Sequence, residues 1–329
     1  MIQTLELGSL AFSPAVFLAP MAAITTPPAR IIAESYGATL TFTEMISAAA
    51  LFRGVEAARE LLVHSSPEKP FAVQIFGVDP HEMEYAAHAS LRAGAQLLDI
   101  NMGCPMKDII RHGAGAALMK NPALAAKLVA AARRGVEERI PVTVKIRAGW
   151  DSDSLNCVPF ALAMEDSGAA MVTVHGRTRS QLYRGRSNPD HITGVVQRLV
   201  VPVIANGDIT SGEGALALLE QTGAAGVMIA RGSFGNPWIF RDIRAAFAGG
   251  TVPPAPTPSE RITVMRQHID LVLGFDDTPL KQLTEIKKQV AWYSSSMKDS
   301  SAFRNQLFRL PDVKAVMMLI DDLEQAVVE

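Results

Sequence analysis

The sequence predicts an α/β protein: a closed (β/α)8 TIM barrel followed by a small C-terminal helical bundle. Eight short β-like runs alternate with Ala/Leu-rich helical segments over about 240 residues, the size of a closed barrel rather than an open sheet. No Gly-x-Gly-x-x-Gly turn follows the first strand, so the main sequence support for an open dinucleotide-binding sheet is missing. Past residue 258 the strand signal vanishes and four helical segments follow.

In order, the strands are expected at Val16–Ala19, Thr39–Thr43, Phe71–Phe76, Gln96–Asn101, Val142–Arg147, Met171–His175, Val201–Ala205 and Gly226–Ala230. Helices are expected between them, among them His81–Ala93, Pro122–Glu138, Phe160–Asp166 and Gly212–Gln221. The barrel then spans residues 1–248. Residues 249–258, Gly-Gly-Thr-Val-Pro-Pro-Ala-Pro-Thr-Pro, combine glycines that free the chain with prolines that stiffen it, which is linker chemistry. Residues 259–329 are expected as helices Ser259–Gly274, Pro279–Lys298, Ser301–Arg309 and Pro311–Val328. Ser259 is the expected N-cap, and Pro279 and Pro311 suit first helical turns.

Composition excludes several classes. Of 329 residues, 48% are apolar and the net charge is −2, so no global charge argues for a nucleic-acid partner. Two cysteines, Cys104 and Cys157, make no disulfide framework, and no metal-type Cys/His spacing appears; a reducing cytoplasm, no metal and a monomer are the expectation. The N-terminus lacks a basic region followed by an apolar stretch, and no apolar run approaches the ~20 residues that span a bilayer.

Active sites of such barrels occupy the C-terminal ends of the strands. Those ends carry Ala19-Pro20-Met21-Ala22, Glu44, Gln74, Asn101 with Cys104, Lys145 with Arg147, His175 with Arg177, Asn206-Gly207-Asp208 and Ala230-Arg231-Gly232. Cys104 follows the apolar run Leu97–Ile100 in an abrupt Gly-Cys-Pro turn, where a thiol is presented rather than packed. The turns after strands seven and eight suit a phosphate, with Arg231 as a fixed charge. Lys145, in an otherwise apolar strand, must reach the mouth, where it either neutralises an anionic ring or forms a Schiff base. Gln74 offers donor and acceptor to a heterocycle edge. His175 is a phosphate contact, a substrate contact or a satisfied core histidine.

At this point the chain resembles the tRNA-dihydrouridine synthases of the bacterial type. The resemblance rests on Leu18–Ala22, Thr43-Glu44-Met45, Val73–Gly77, Asp99–Pro105, Lys145-Ile146-Arg147, Val174–Arg179, Ile204–Ile209, Met228–Gly232 and Gly235-Asn236-Pro237-Trp238, in order along the barrel, and on a tail with Trp292-Tyr293. In that family the first motif usually continues Gly-x-Thr-Asp-x-Pro-Phe-Arg; here it reads Ala23-Ile24-Thr25-Thr26-Pro27-Pro28-Ala29-Arg30. The resemblance implies FMN held by Pro20, Met21, Ala22, Gln74, Lys145, His175, Asn206, Gly207, Asp208, Ala230 and Arg231. It also implies NADPH as reductant, with NADH as the substitute, Cys104 as the acid that completes reduction of a uracil 5,6 double bond, and tRNA as substrate. Asn101 would hold the uracil edge.

For RNA, the expectation is local. Lys107 and Arg111 lie just past Cys104, and Arg177 and Arg179 lie in the loop after strand six. Between Lys281 and Arg309 six basic residues, Lys287 and Lys288 among them, face two acidic ones and are interleaved with Trp292, Tyr293 and Phe303. Besides a Schiff-base aldolase acting through Lys145, two other readings remain beside this one. One is an FMN barrel acting on a free pyrimidine, like the dihydroorotate dehydrogenases; the other is a tRNA-binding protein without chemistry.

Overall fold

The computed structural model describes residues 4–62 and 70–328. The leader-free reading of the N-terminus falls partly on Met1–Gln3, outside the described residues.

Eight parallel strands form the barrel among the described residues: β1 (Val16–Leu18), β2 (Thr41–Ser47), β3 (Phe71–Phe76), β4 (Leu97–Asn101), β5 (Val142–Arg147), β6 (Val172–His175), β7 (Val203–Asn206) and β8 (Gly226–Ile229). From β2 to β8 each pairs with the next, and β8 pairs with β1. Closure between β1 and β2 comes from a Phe17–Leu40 bridge, with the Leu18 N–H donating to the Leu40 carbonyl at 2.9 Å. The fold class expected from the sequence is therefore the one observed.

Alternation along each strand divides the residues between two environments, as a period of two requires. On β5, Val142, Val144 and Ile146 join the apolar layer under the helices, together with Val73, Ile75, Leu98 and Ile100. The alternate residues Thr143, Lys145 and Arg147 therefore face the interior. That layer is closed from outside by α1 (Pro27–Ser35), α2 (Pro80–Arg92), α3 (Pro122–Gly135), α4 (Cys157–Asp166), α5 (Pro189–Val196), α6 (Gly212–Thr222) and α7 (Trp238–Phe247). Side chains cap several of these: Asp79 accepts from the first-turn N–H groups of α2, and Asn121, Asn188 and Ser211 do the same for α3, α5 and α6.

Strand two differs most from expectation. It begins at Thr41 and runs to Ser47 through a register shift between Phe42 and Met45, which places Glu44 inside the strand rather than past its end. Helix α3 stops at Gly135, three residues short of Glu138, because Glu137 and Glu138 take left-handed backbone. A hairpin of two three-residue strands, Leu5–Leu7 and Leu10–Phe12, was not foreseen. Leu5, Leu7, Leu10 and Phe12 pack on Phe17, Phe42, Leu97 and Met171 as a plug at the N-terminal end of the barrel.

The tail comprises α8 (Pro258–Phe275), α9 (Pro279–Tyr293), α10 (Ser300–Leu307) and α11 (Val313–Val328). Three details correct the sequence reading. Thr257, not Ser259, caps α8: with Pro258 at the first helical position, Thr257 and Glu260 form a reciprocal capping box. The segment expected as one helix to Lys298 breaks after Tyr293 into a short 3-10 turn at Ser294–Ser296. Pro311 precedes α11, and the Asp312 carboxylate accepts from the Ala315 N–H at its start. The bundle is docked on the barrel: Ile32 of α1 and Trp238 of α7 share one apolar cluster with Met265, Ile269, Ile286 and Val290. No helix among the described residues is long and apolar enough to cross a membrane.

Candidate active site at the barrel mouth

Parallel register sets the site. Asn101 stands beside Lys145, Arg147 beside His175, and His175 beside Asn206, so four adjacent strand ends deliver polar groups to one place. The Lys145 ammonium donates to Asn206 Oδ1 at 2.9 Å, and Asn206 Nδ2 donates to the Met228 carbonyl at 2.7 Å. Burial, with Arg147 nearby, lowers the Lys145 pKa to about 8 against the opposing pull of Asp99. Burial and the surrounding cations hold His175 well below the ordinary histidine range, so its ring is neutral. Its Nδ1 accepts from the Arg177 N–H at 3.1 Å, leaving Nε2 to carry the proton.

Cys104 is half-buried in the turn after β4. Its N–H and that of Gly103 donate to Asn101 Oδ1, at 2.8 and 3.1 Å. From the other side the Arg147 guanidinium donates to the Gly103 carbonyl at 2.8 Å and to the Thr178 carbonyl at 2.9 Å, tying the cysteine turn to the loop after β6. Gly115 must be glycine: its φ is +59°, and a Cβ there would lie 2.7 Å from the Cys104 carbonyl oxygen. Burial pushes the Cys104 thiol pKa up, opposed by the Met106 N–H, Arg147 and Lys145. The sulfur is a protonated thiol at neutral pH.

The turns after β7 and β8 carry an ion-pair knot. Asp208, at φ +54°, accepts from both terminal nitrogens of Arg177 at 2.6 and 2.7 Å and from Arg231 at 3.2 Å. Its carboxylate is committed to two cations and to the Ser187 N–H at 2.9 Å. Although burial acts upward, Arg177, the Ser187 N–H and Arg231 hold its pKa below the usual carboxylate range. Gly207 (φ +135°) and Gly232 pack so closely that a Cβ would fall 2.2 Å from Ser187 Oγ and from the Ile209 carbonyl oxygen respectively. Arg231 keeps about half of its side chain exposed at the rim.

The loop after β1 is gripped from two directions. The Ala23 N–H donates to Glu44, and its carbonyl accepts from the Lys288 ammonium of α9; Thr26 donates to Glu285 of the same helix. Beside it the ring of Phe234 stacks on Trp292, with centroids 4.3 Å apart. The C-terminal half of α9 thus touches the loops after both β1 and β8.

Of the residues expected to meet RNA, Lys107 and Arg111 are exposed on a short helix past Cys104, Arg111 lying 3.8 Å from Asp108. Arg177 is corrected: it is 2% exposed and bound to Asp208, so it braces the site from within. Arg179 lies half-buried against the Trp150 ring, 4.5 Å from its centroid. Lys287 donates to the Leu310 carbonyl at 2.5 Å and the Phe308 carbonyl at 3.2 Å, and Lys288 faces Ala23. The aromatic residues interleaved with them serve packing: Tyr293 is buried and Phe303 lies against the bundle core. Gln74 is also more committed than expected, since Asp99 and Asn101 already occupy both ends of its amide.

Arg147 and Asp99 were named in the sequence reading, at a strand end and within a motif, but given no role, and Thr143 was passed over. The signal for them was present as polar residues at alternate positions, Asp99 and Asn101 on β4 and Thr143, Lys145 and Arg147 on β5. Among the described residues no group of three or more His, Cys, Asp or Glu side chains is arranged to hold a metal ion.

A dihydrouridine synthase (Dus) family model matches residues 17–328, the barrel and the tail together. The chain belongs to the dihydrouridine synthase family. It is 39% identical over 317 residues to tRNA-dihydrouridine synthase B of Pasteurella multocida, covering 96% of this chain and 95% of that one. The probable tRNA-dihydrouridine synthase 1 of Synechocystis is 37% identical, with 96% and 88% covered. Among solved structures, a variant of NCR from Zymomonas mobilis superposes with a TM-score of 0.53 at 17% identity, over 79% of this chain and 97% of that one. That likeness concerns the fold alone. Within this dihydrouridine synthase, the family motifs supply the mouth: Asp99–Pro105 the cysteine turn, Lys145–Arg147 the cations, and Ile204–Ile209 and Met228–Gly232 the two glycine turns.

Proposed function

We propose that this dihydrouridine synthase reduces the 5,6 double bond of D-loop uridines in tRNA, using FMN and NADPH, with Cys104 as the proton donor. The observation that carries the reading is a protonated, half-buried thiol held at the mouth of the barrel beside Lys145 and Arg147. The tRNA substrate is supported by the names of the relatives, which are tRNA-dihydrouridine synthases.

The residues present fit a flavin. Lys145 is a cation whose hydrogen bond among the described residues goes to a neutral amide, which leaves its charge available to an anionic ring. His175 is a neutral donor, and the turns at Gly207 and at Ala230–Gly232 offer backbone N–H groups with Arg231 at the rim. Pro20, Met21 and Ala22, in the loop after β1, complete the set, whereas Gln74, expected among them, is fully buried with its amide engaged by Asp99 and Asn101. A reduced flavin held there would be the source of the hydride for one carbon of the uracil double bond. Cys104 delivers the proton to the other carbon, and the thiolate takes its proton back from solvent. Asn101 and Arg147 keep the thiol in place during that transfer. Lys107 and Arg111 contact phosphate beside the base, which must leave its stack to reach the thiol. Residues 249–257, one residue shorter than the linker expected because Pro258 opens α8, separate the catalytic barrel from a helical RNA-binding domain, and the enzyme acts as a cytoplasmic monomer.

Incubation of the pure protein with NADPH and unmodified tRNA transcript, followed by mass spectrometry of nuclease fragments, tests the reading. A gain of two hydrogens confined to one D-loop fragment is expected. No gain, from protein whose flavin NADPH reduces, would overturn it in favour of a free pyrimidine.

A further inference from the structure

Two amide side chains lie between the Asp99 carboxylate and the cysteine turn, and hydrogen bonding runs through them in one direction only. At the turn, the Gly103 and Cys104 N–H groups converge on one side-chain atom of Asn101, which must be its oxygen. Asn101 Nδ2 therefore faces Gln74 and donates to Oε1 at 2.9 Å. That leaves Gln74 Nε2, a donor on a fully buried side chain, pointing away from the turn. It finds Asp99 Oδ2 at 2.7 Å, while Thr143 Oγ1 donates to Asp99 Oδ1 at 2.6 Å. An ionised carboxylate accepts and does not donate, so the series cannot run in reverse, and each bond polarises the next.

We propose that Asp99 is a positioning residue for Cys104: as terminal acceptor of the series Cys104, Asn101, Gln74, Asp99, it fixes both amides and so holds the turn that presents the thiol. The proposal rests on the reading of Cys104 as the acid and deepens it. Without an acceptor at position 99, Gln74 Nε2 is an unpaired donor in a dry interior. Turning the Gln74 amide over to relieve it sets nitrogen against Asn101 Nδ2. Asn101 then turns as well and releases the Cys104 N–H.

The test labels the protein as purified with iodoacetamide and follows the Cys104 peptide by mass spectrometry, with buried Cys157 as the reference thiol. Asp99→Leu removes the acceptor, and Cys104 is expected to react about tenfold faster, the ratio set by loss of one buried hydrogen bond. Asp99→Asn keeps an acceptor: its oxygen takes the Gln74 N–H, and its nitrogen donates to Thr143, whose proton turns to the Leu98 carbonyl 3.5 Å away. Cys104 in that variant is expected to react within about twofold of wild type. An unchanged rate in Asp99→Leu overturns the proposal. So does an Asp99→Asn rate as fast as that of Asp99→Leu, which would make charge, not acceptance, the cause. Should Asp99→Leu not fold, Gln74→Met cuts the series at its middle with a side chain of similar shape, and an unchanged Cys104 rate there overturns the proposal equally. The labelling involves neither tRNA nor reduction, so its failure is separable from a failed dihydrouridine assay.

Discussion

Lys145 of β5 reaches over β6 to Asn206 of β7, its ammonium donating to the amide oxygen at 2.9 Å. A lysine whose pKa falls to about 8 in the fold, from 10.5 when exposed, binds its proton more weakly folded than unfolded. Between those values the unfolded chain holds more protons, so this residue makes the fold gain stability as pH rises through the window. In protein stripped of cofactor, Lys145→Met is expected to raise the melting temperature at pH 7. The gain should shrink between about pH 8 and pH 10.5 as the penalty for burying the charge disappears. A gain that does not change with pH would mean that packing, not charge, is responsible.

Cys104→Ala separates the acid from the rest of the site. The thiol stands after β4, whereas the residues proposed to hold the flavin come largely from β5 to β8, so flavin content and NADPH oxidation should be nearly unchanged. Reduction of tRNA should fall by about 10²–10⁴-fold, the usual worth of a positioned acid. Single-turnover reoxidation of the reduced enzyme by tRNA measures this; a rate near wild type would remove Cys104 from the role.

Ala23 occupies left-handed backbone at φ +57°, where the family motif usually has glycine. An L-residue there costs about 1–2 kcal/mol, partly offset by the greater freedom that glycine loses on folding. Ala23→Gly is expected to stabilise the protein by up to about 1 kcal/mol, read as a higher denaturant midpoint at constant slope. A lower midpoint would show that the methyl group packs favourably enough to outweigh the strain.

Basic residues of the two regions should behave differently. Lys107→Ala with Arg111→Ala, both exposed beside the cysteine turn, is expected to flatten the salt dependence of tRNA binding by about one to two units of log–log slope. Lys288→Ala instead frees the Ala23 carbonyl, so faster flavin release is expected with the slope little changed. Lys287→Ala uncovers the carbonyls of Phe308 and Leu310 and should lower thermal stability. Fluorescence binding titrations over a salt series distinguish these outcomes. An unchanged slope in the first pair would place the RNA elsewhere.

Barrel class, strand order and the helical tail were legible because a two-residue alternation and a 3.6-residue period are local properties of the chain. Cys104, Lys145, His175 and Asn206 were legible as candidates because each interrupts or ends an apolar run. The N-terminal hairpin was not: strands of three residues are too short for alternation to be distinguished from a loop. The α8 cap was misplaced by two residues, since Ser259 and Thr257 are both capable caps and only the reach of Glu260 to the Thr257 N–H selects between them.

By itself the sequence determined which side chains arrive at the strand ends, and it placed the chain near its family through motifs ordered along the barrel. Tertiary structure decided what those side chains are free to do. Arg177 and Asp208 lie 31 positions apart, yet neutralise one another inside the site. Lys288 closes on Ala23 across 265 positions, and Gln74 is engaged from both sides by β4. A charge or an amide in a sequence is a capacity for bonding. Which partner takes it up depends on parallel register and on how the bundle docks, and neither is written in any window of neighbouring residues.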